Sequence, residues 1–135
     1  MVLREPLASI SSLEIFSGLG DGDILFMDGT HRCFTNSDVT VFFLEILPNL
    51  KPGVLVYIDD IYLPYDYPPE WSNRCYSEQY LLAALLLGDS KRYQPVLPAV
   101  FIDKDAELSA CATPLWAGIE QARRGGNGFW MQISA

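Results

Sequence analysis

Positive charge is scarce in this chain. Nine Lys and Arg stand against 17 Asp and Glu among 135 residues, a formal net charge of -8. A nucleic-acid backbone or an anionic membrane requires Lys/Arg patches, so neither is expected as a main partner. Cysteines are few and irregularly spaced: Cys33, Cys75 and Cys111. An odd, irregular set argues against a disulfide framework and against a zinc site, and reduced, mostly buried thiols are expected. The longest apolar run, Tyr80 to Leu87, falls well short of the ~20 residues of a membrane helix. Met1 to Ile10 carries Arg4, Glu5 and Pro6 and has no long apolar core, so it does not read as a signal peptide. A cytoplasmic protein is expected. Repeats, low-complexity tracts and linkers are missing too, which leaves one domain over residues 1–135. Histidine occurs once, as His31.

What is present is enough for a core: half of the residues are hydrophobic. Ser12 to Leu19 reads as a short helix, followed by Gly18, Gly20 and Gly22. Ile24 to Met27 is an apolar run of the kind that makes a strand buried on both faces. Asn36, Ser37 and Asp38 offer caps for a helix carrying Val39, Phe42, Phe43, Ile46, Leu47 and Leu50, which Pro48 stops. Val54 to Ile58 is a second buried strand. Ser77 caps a helix through Leu87 that ends at Gly88. Arg92 to Ile102 reads as a strand whose Pro95 and Pro98 point to an edge or a bulge. Thr113-Pro114 opens a helix with Leu115, Trp116, Ile119 and Ala122 on its face, ended by Gly125 and Gly126. Phe129 to Ile133 is a final strand. Alternating helices and strands predict an α/β fold with a mostly parallel sheet.

In open α/β sheets, ligands sit beyond the carboxyl ends of the strands. Asp28-Gly29-Thr30-His31 ends one strand and Asp59-Asp60 ends the next. On parallel neighbours, about 5 Å apart, these carboxylates converge. Three carboxylates at one point call for a cation. All-oxygen ligands select a hard ion, Mg²⁺, Mn²⁺ or Ca²⁺, and not Zn²⁺. His31, three residues past Asp28, is the candidate general base. The competing reading makes each Asp a turn or cap residue and the lone His a packed one. Gly18-Leu19-Gly20-Asp21-Gly22 spells G-x-G-x-G, but it precedes its strand, where a nucleotide loop must follow one. The loop Tyr62 to Asn73, rich in Pro and aromatics, reads as core cover. Its place after Asp60 also suits a lid.

Three stretches carry a family resemblance. They are Gly22 to His31 (GDILFMDGTH), Glu45 to Val56 running into Ile58 to Trp71 (IDDIYLPYDYPPEW), and Ser77 to Leu82 (SEQYLL); the ending Gly126 to Met131 adds a fourth. Together they resemble the C-terminal half of a class I S-adenosylmethionine-dependent methyltransferase, of a bacterial methyltransferase-domain subgroup. The resemblance covers nearly the whole chain. It implies a Rossmann-like sheet of which this chain supplies the fourth to seventh strands, the last one reversed, and lacks the first strands. In metal-dependent relatives such as catechol O-methyltransferase and macrolide-sugar O-methyltransferases, the motif positions matching Asp28, Asp59 and Asp60 hold Mg²⁺, and that of His31 is the base. The subgroup commonly has His where this chain has Asp59. The glycine-rich cofactor loop has no counterpart here, so a single chain is expected to bind S-adenosylmethionine weakly or not at all. The expected function is therefore a truncated, metal-assisted O-methyltransferase acting on a small hydroxyl compound. The alternative is a non-enzymatic half-Rossmann module, a homo-oligomer formed through an uncovered sheet edge.

Overall fold

Each helix that follows a strand in this chain has to bury one apolar stripe, and the sheet offers a face for it. The computed structural model describes residues 3–9, 14–89, 91–117 and 125–135. Its four strands are β1 (Ile24–Met27), β2 (Leu55–Ile58), β3 (Tyr93–Pro98) and β4 (Phe129–Ile133), in the order β1-β2-β4-β3. Strands β1 and β2 are parallel, with Phe26 opposite Tyr57 and Met27 opposite Ile58. Strand β4 is antiparallel to both of its neighbours.

The sheet is thus mixed, and the expectation of a mostly parallel sheet needs correction. Strands β1, β2 and β3 share a direction, but the reversed β4 lies between β2 and β3 instead of at an edge. Two of the three pairings are therefore antiparallel. Strand β3 is an edge strand with a register shift between Pro95 and Leu97, as its prolines foretold. It stops at Pro98, and Ala99–Lys104 forms helix α4, not more strand.

The steps β1 to β2 and β2 to β3 cross the sheet in the same direction. Right-handed crossovers of that kind put their helices on one face. Burial agrees. Val39 and Val41 of α2 (Asp38–Val41), Phe42, Phe43 and Ile46 of the following π-helical turn, and Leu82 of α3 (Glu78–Gly88) pack with Met27, Val56, Ile58, Phe129, Met131 and Ile133. Alternation sends the other residues of these strands to the opposite face. There Ile24 and Phe26 remain 56% and 60% exposed. Strand β1 is therefore buried on one face only, against the expectation of two. Its outer face carries a ring ladder, with Phe26 stacked on Tyr57 at 4.2 Å and Tyr57 edge-on to Trp130 at 5.0 Å.

Other local expectations are met or moved by identifiable bonds. Ser37 caps α2, its Oγ accepting from Thr40 N–H at 3.1 Å. Pro48 cannot donate to a helical carbonyl, and the segment closes in a 3-10 turn, Leu47–Asn49. The short helix α1 spans Glu14–Ser17, and the rest of its expected start, Ser12 and Leu13, lies outside the described residues. Helix α5 runs from Ala106 to Trp116 and starts before Thr113-Pro114. Asp105 caps it through bonds from Glu107 N–H (3.0 Å) and Leu108 N–H (2.9 Å), and Pro114 falls inside the helix. The side chains of Leu115 and Trp116, and residues Ile119 and Ala122, lie outside the described residues. All three cysteines are free and exposed, not buried, because none falls on the packed face of an element. Among the described residues, no helix is long and apolar enough to cross a membrane.

Helix α3 also ties the loops together. Its Gln79 is fully buried, accepts from Tyr62 N–H at 2.9 Å and donates to Tyr65 O at 3.4 Å. Gln79→Leu keeps the bulk but strands these loop groups. Urea unfolding is expected to show a loss of about 1–3 kcal/mol. An unchanged midpoint would mean that Gln79 does not anchor the loop.

Candidate functional site

The parallel pairing of β1 and β2 brings two loops together at their carboxyl ends. Asp59 N–H donates to Met27 O at 3.0 Å, extending the ladder one residue beyond the strands. Asp38 braces the first loop, accepting from Thr30 N–H at 2.7 Å and from the Thr30 hydroxyl at 2.5 Å. A Cβ at Gly29 would collide with the Asp38 carboxylate, so a larger residue there would displace that brace. Each loop then turns through a left-handed residue, His31 at φ 59° and Asp60 at φ 53°. Non-glycine residues in that region cost about 1–3 kcal/mol, and such residues cluster at functional sites.

These two turns bring His31 and Asp60 face to face. The imidazole is buried, its side chain 7% exposed. Its Nδ1 is hydrogen-bonded to Glu78 Oε1, and the Tyr76 ring leans on it at 4.5 Å. Its Nε2 lies 3.4 Å from Asp28 Oδ1 and 3.7 Å from Asp60 Oδ2. Among the described residues, Nε2 makes no hydrogen bond. Asn127 donates its side-chain amide to Asp60 Oδ1, and Ile61 N–H donates to Asn127 O at 2.7 Å, so the start of β4 also steadies this corner.

Asp59 stands beside this group with a partner of its own. It lies just past the end of β2, where the Tyr57 hydroxyl donates to its Oδ1 at 2.6 Å. Of the predicted metal set, Asp28 and Asp60 converge, on a histidine, while Asp59 binds a phenol. Among the described residues, no group of three or more His, Cys, Asp or Glu is arranged to hold a metal ion. The donor set does not fit the three-carboxylate site that the spacing predicts. Burial, above all, raises the phenol's pKa, and the Asp59 charge adds to the effect. Asp60 is raised too, first by burial and then by the charge of Asp59, against the opposing pull of His31 and Arg74.

Glu78 was overlooked because an acid in a helix's first turn ordinarily faces solvent and the helix dipole. The available signal was its place in the Ser77-Glu78-Gln79-Tyr80 motif. It is fully buried, and its Oε2 is the one buried side-chain atom without a hydrogen-bond partner among the described residues. Burial pushes its pKa from 4.5 up to about 7, against the opposing bond from His31. Around this corner Tyr62, Tyr67, Trp71 and Tyr76 form a ring network, with Arg74 lying over Trp71 at 3.8 Å. A cleft of about 450 Å³ borders Asp28 and is lined also by Phe26, Thr30, Phe34 and Asp38, with no residue from β2.

The raised pKa of Glu78 makes stability depend on pH. Between pH 4.5 and about 7 the folded chain keeps a proton that the unfolded chain gives up. The stability due to Glu78 is therefore complete below 4.5 and is lost as pH rises through about 7, on the order of 3 kcal/mol. Urea unfolding across pH 5 to 8 is expected to show this decline in the wild type and to lose it in Glu78→Gln. Equal slopes would place the titrating proton elsewhere. Comparison with protein-family models, curated proteins and solved structures finds no match to this chain.

Proposed function

We propose that the chain carries the acceptor side of an S-adenosylmethionine-dependent methyl-transfer site, with His31 Nε2 as general base toward a small hydroxyl compound. The observation that carries this reading is His31 Nε2 facing Asp28 at 3.4 Å and Asp60 at 3.7 Å, at the carboxyl ends of a parallel strand pair. The strand order, with a reversed last strand inserted between β2 and β3, supports a partial Rossmann-like methyltransferase fold. S-adenosylmethionine, when bound, supplies a methyl group on a positively charged sulfur. The cleft beside Asp28 offers room for such a group, with apolar walls from Phe26 and Phe34 and a carboxylate to match the charge. His31 would take the proton of the acceptor hydroxyl at Nε2, which would leave that oxygen free to receive the methyl group. Asp28 and Asp60 face the nitrogen that takes the proton. No step is assigned to a metal, since Asp59 is held by Tyr57.

Transfer of labelled methyl from S-adenosylmethionine to a panel of phenols and sugar alcohols tests this. His31→Asn is expected to lower the rate by about 10²–10⁴-fold, the usual worth of a general base. Equal rates in both proteins would sink the assignment.

A second reading is supported by a different observation. The exposed Ile24 and Phe26 lie on an edge strand, beside unpaired backbone groups that invite another chain. In this reading the chain is a non-enzymatic α/β module that self-associates through β1. Sedimentation is expected to show a dimer or larger, and Phe26→Asp is expected to give a monomer. A monomer mass at all wild-type concentrations refutes it.

A further inference from the structure

We propose that Glu78 is a positioning residue that holds the His31 imidazole as its Nδ1–H tautomer and so leaves Nε2 as the proton acceptor. This rests on the reading of His31 as a general base. The two ring nitrogens of a histidine are distinct, and the bond made by one decides what the other can do. Here Nδ1 meets a fully buried carboxylate at hydrogen-bond distance, while Nε2 has only the longer approaches of Asp28 at 3.4 Å and Asp60 at 3.7 Å. An ionised carboxylate only accepts, so the shared proton then sits on nitrogen.

The rest of the turn enforces the same pose. Ser77 N–H and Glu78 N–H donate to His31 O at 2.8 and 3.3 Å. Ser77 Oγ accepts from Cys33 N–H at 2.8 Å instead of capping its own helix. Backbone and ring of His31 are thus gripped by consecutive residues of one helix start, and Tyr76 closes the side of the ring. The same logic orients histidines that bind metals, where a carboxylate behind the ring fixes tautomer and direction.

His31 is the sole histidine, so ¹⁵N-labelled imidazole yields a single pair of ring signals. At pH 8.5, where Glu78 is ionised, wild type is expected in the Nδ1–H form. Glu78→Gln keeps an accepting oxygen and is expected to preserve that form. Glu78→Leu is expected to lose it in favour of the Nε2–H form that a free side chain prefers. A wild-type Nε2–H signal overturns the proposal, as does an unchanged signal in Glu78→Leu. If Glu78→Leu does not fold, wild type and Glu78→Gln decide the matter between them. Methyl transfer assayed on the same samples separates the two ideas. An Nδ1–H ring without transfer keeps the positioning role and removes the methyltransferase reading.

Discussion

The first turn of α3 holds the candidate-site end of the molecule together. Three consecutive residues, Ser77, Glu78 and Gln79, reach both loops that leave the parallel strands. Backbone amides that a helix start leaves unpaired are spent on the His31 carbonyl, not on a side-chain cap. The Glu78 carboxyl takes the His31 ring, and the Gln79 amide takes the loop after Asp60. That turn adds to what Asn127 does for Asp60 and Asp38 for the loop before His31 in holding two left-handed residues in their unfavourable conformations.

The arrangement carries an electrostatic cost. An acidic chain gathers Asp28, Asp60 and Glu78 around its single imidazole. Burial favours the neutral carboxyl, and a neighbouring cation favours the charged one. Glu78 is dominated by burial, Asp60 feels both effects, and Asp28, half-open to water, offers its charge to whatever occupies the cleft. One ring thus faces a buried acid on one side and a solvated one on the other, a gradient along which a proton can be placed.

Much of this was legible in the chain itself. Strand β4 falls where its apolar run predicts, and α3 where Ser77 and Gly88 mark its ends. The pairing of Asp28 and His31 with Asp60 follows from the ends of two apolar runs being neighbours. The partner of Asp59 was not legible, since adjacency in sequence suggests a pair with Asp60, whereas its carboxylate accepts from the Tyr57 hydroxyl. The slot of β4 was not readable, since local patterning carries direction poorly and strand order hardly at all. Glu78 was hidden because its burial depends on a loop 47 residues away in the chain.

The ring ladder on the outer face is anchored at both ends of its middle member. Tyr57 lies between Phe26 and Trp130, and it can lie flat because Gly128 has no side chain to lift it. The same residue's hydroxyl grips Asp59 at the rim of the site. One side chain thus belongs to two neighbourhoods: its ring to the aromatic row on the outer face, and its hydroxyl to Asp59, whose charge in turn raises the pKa of Asp60.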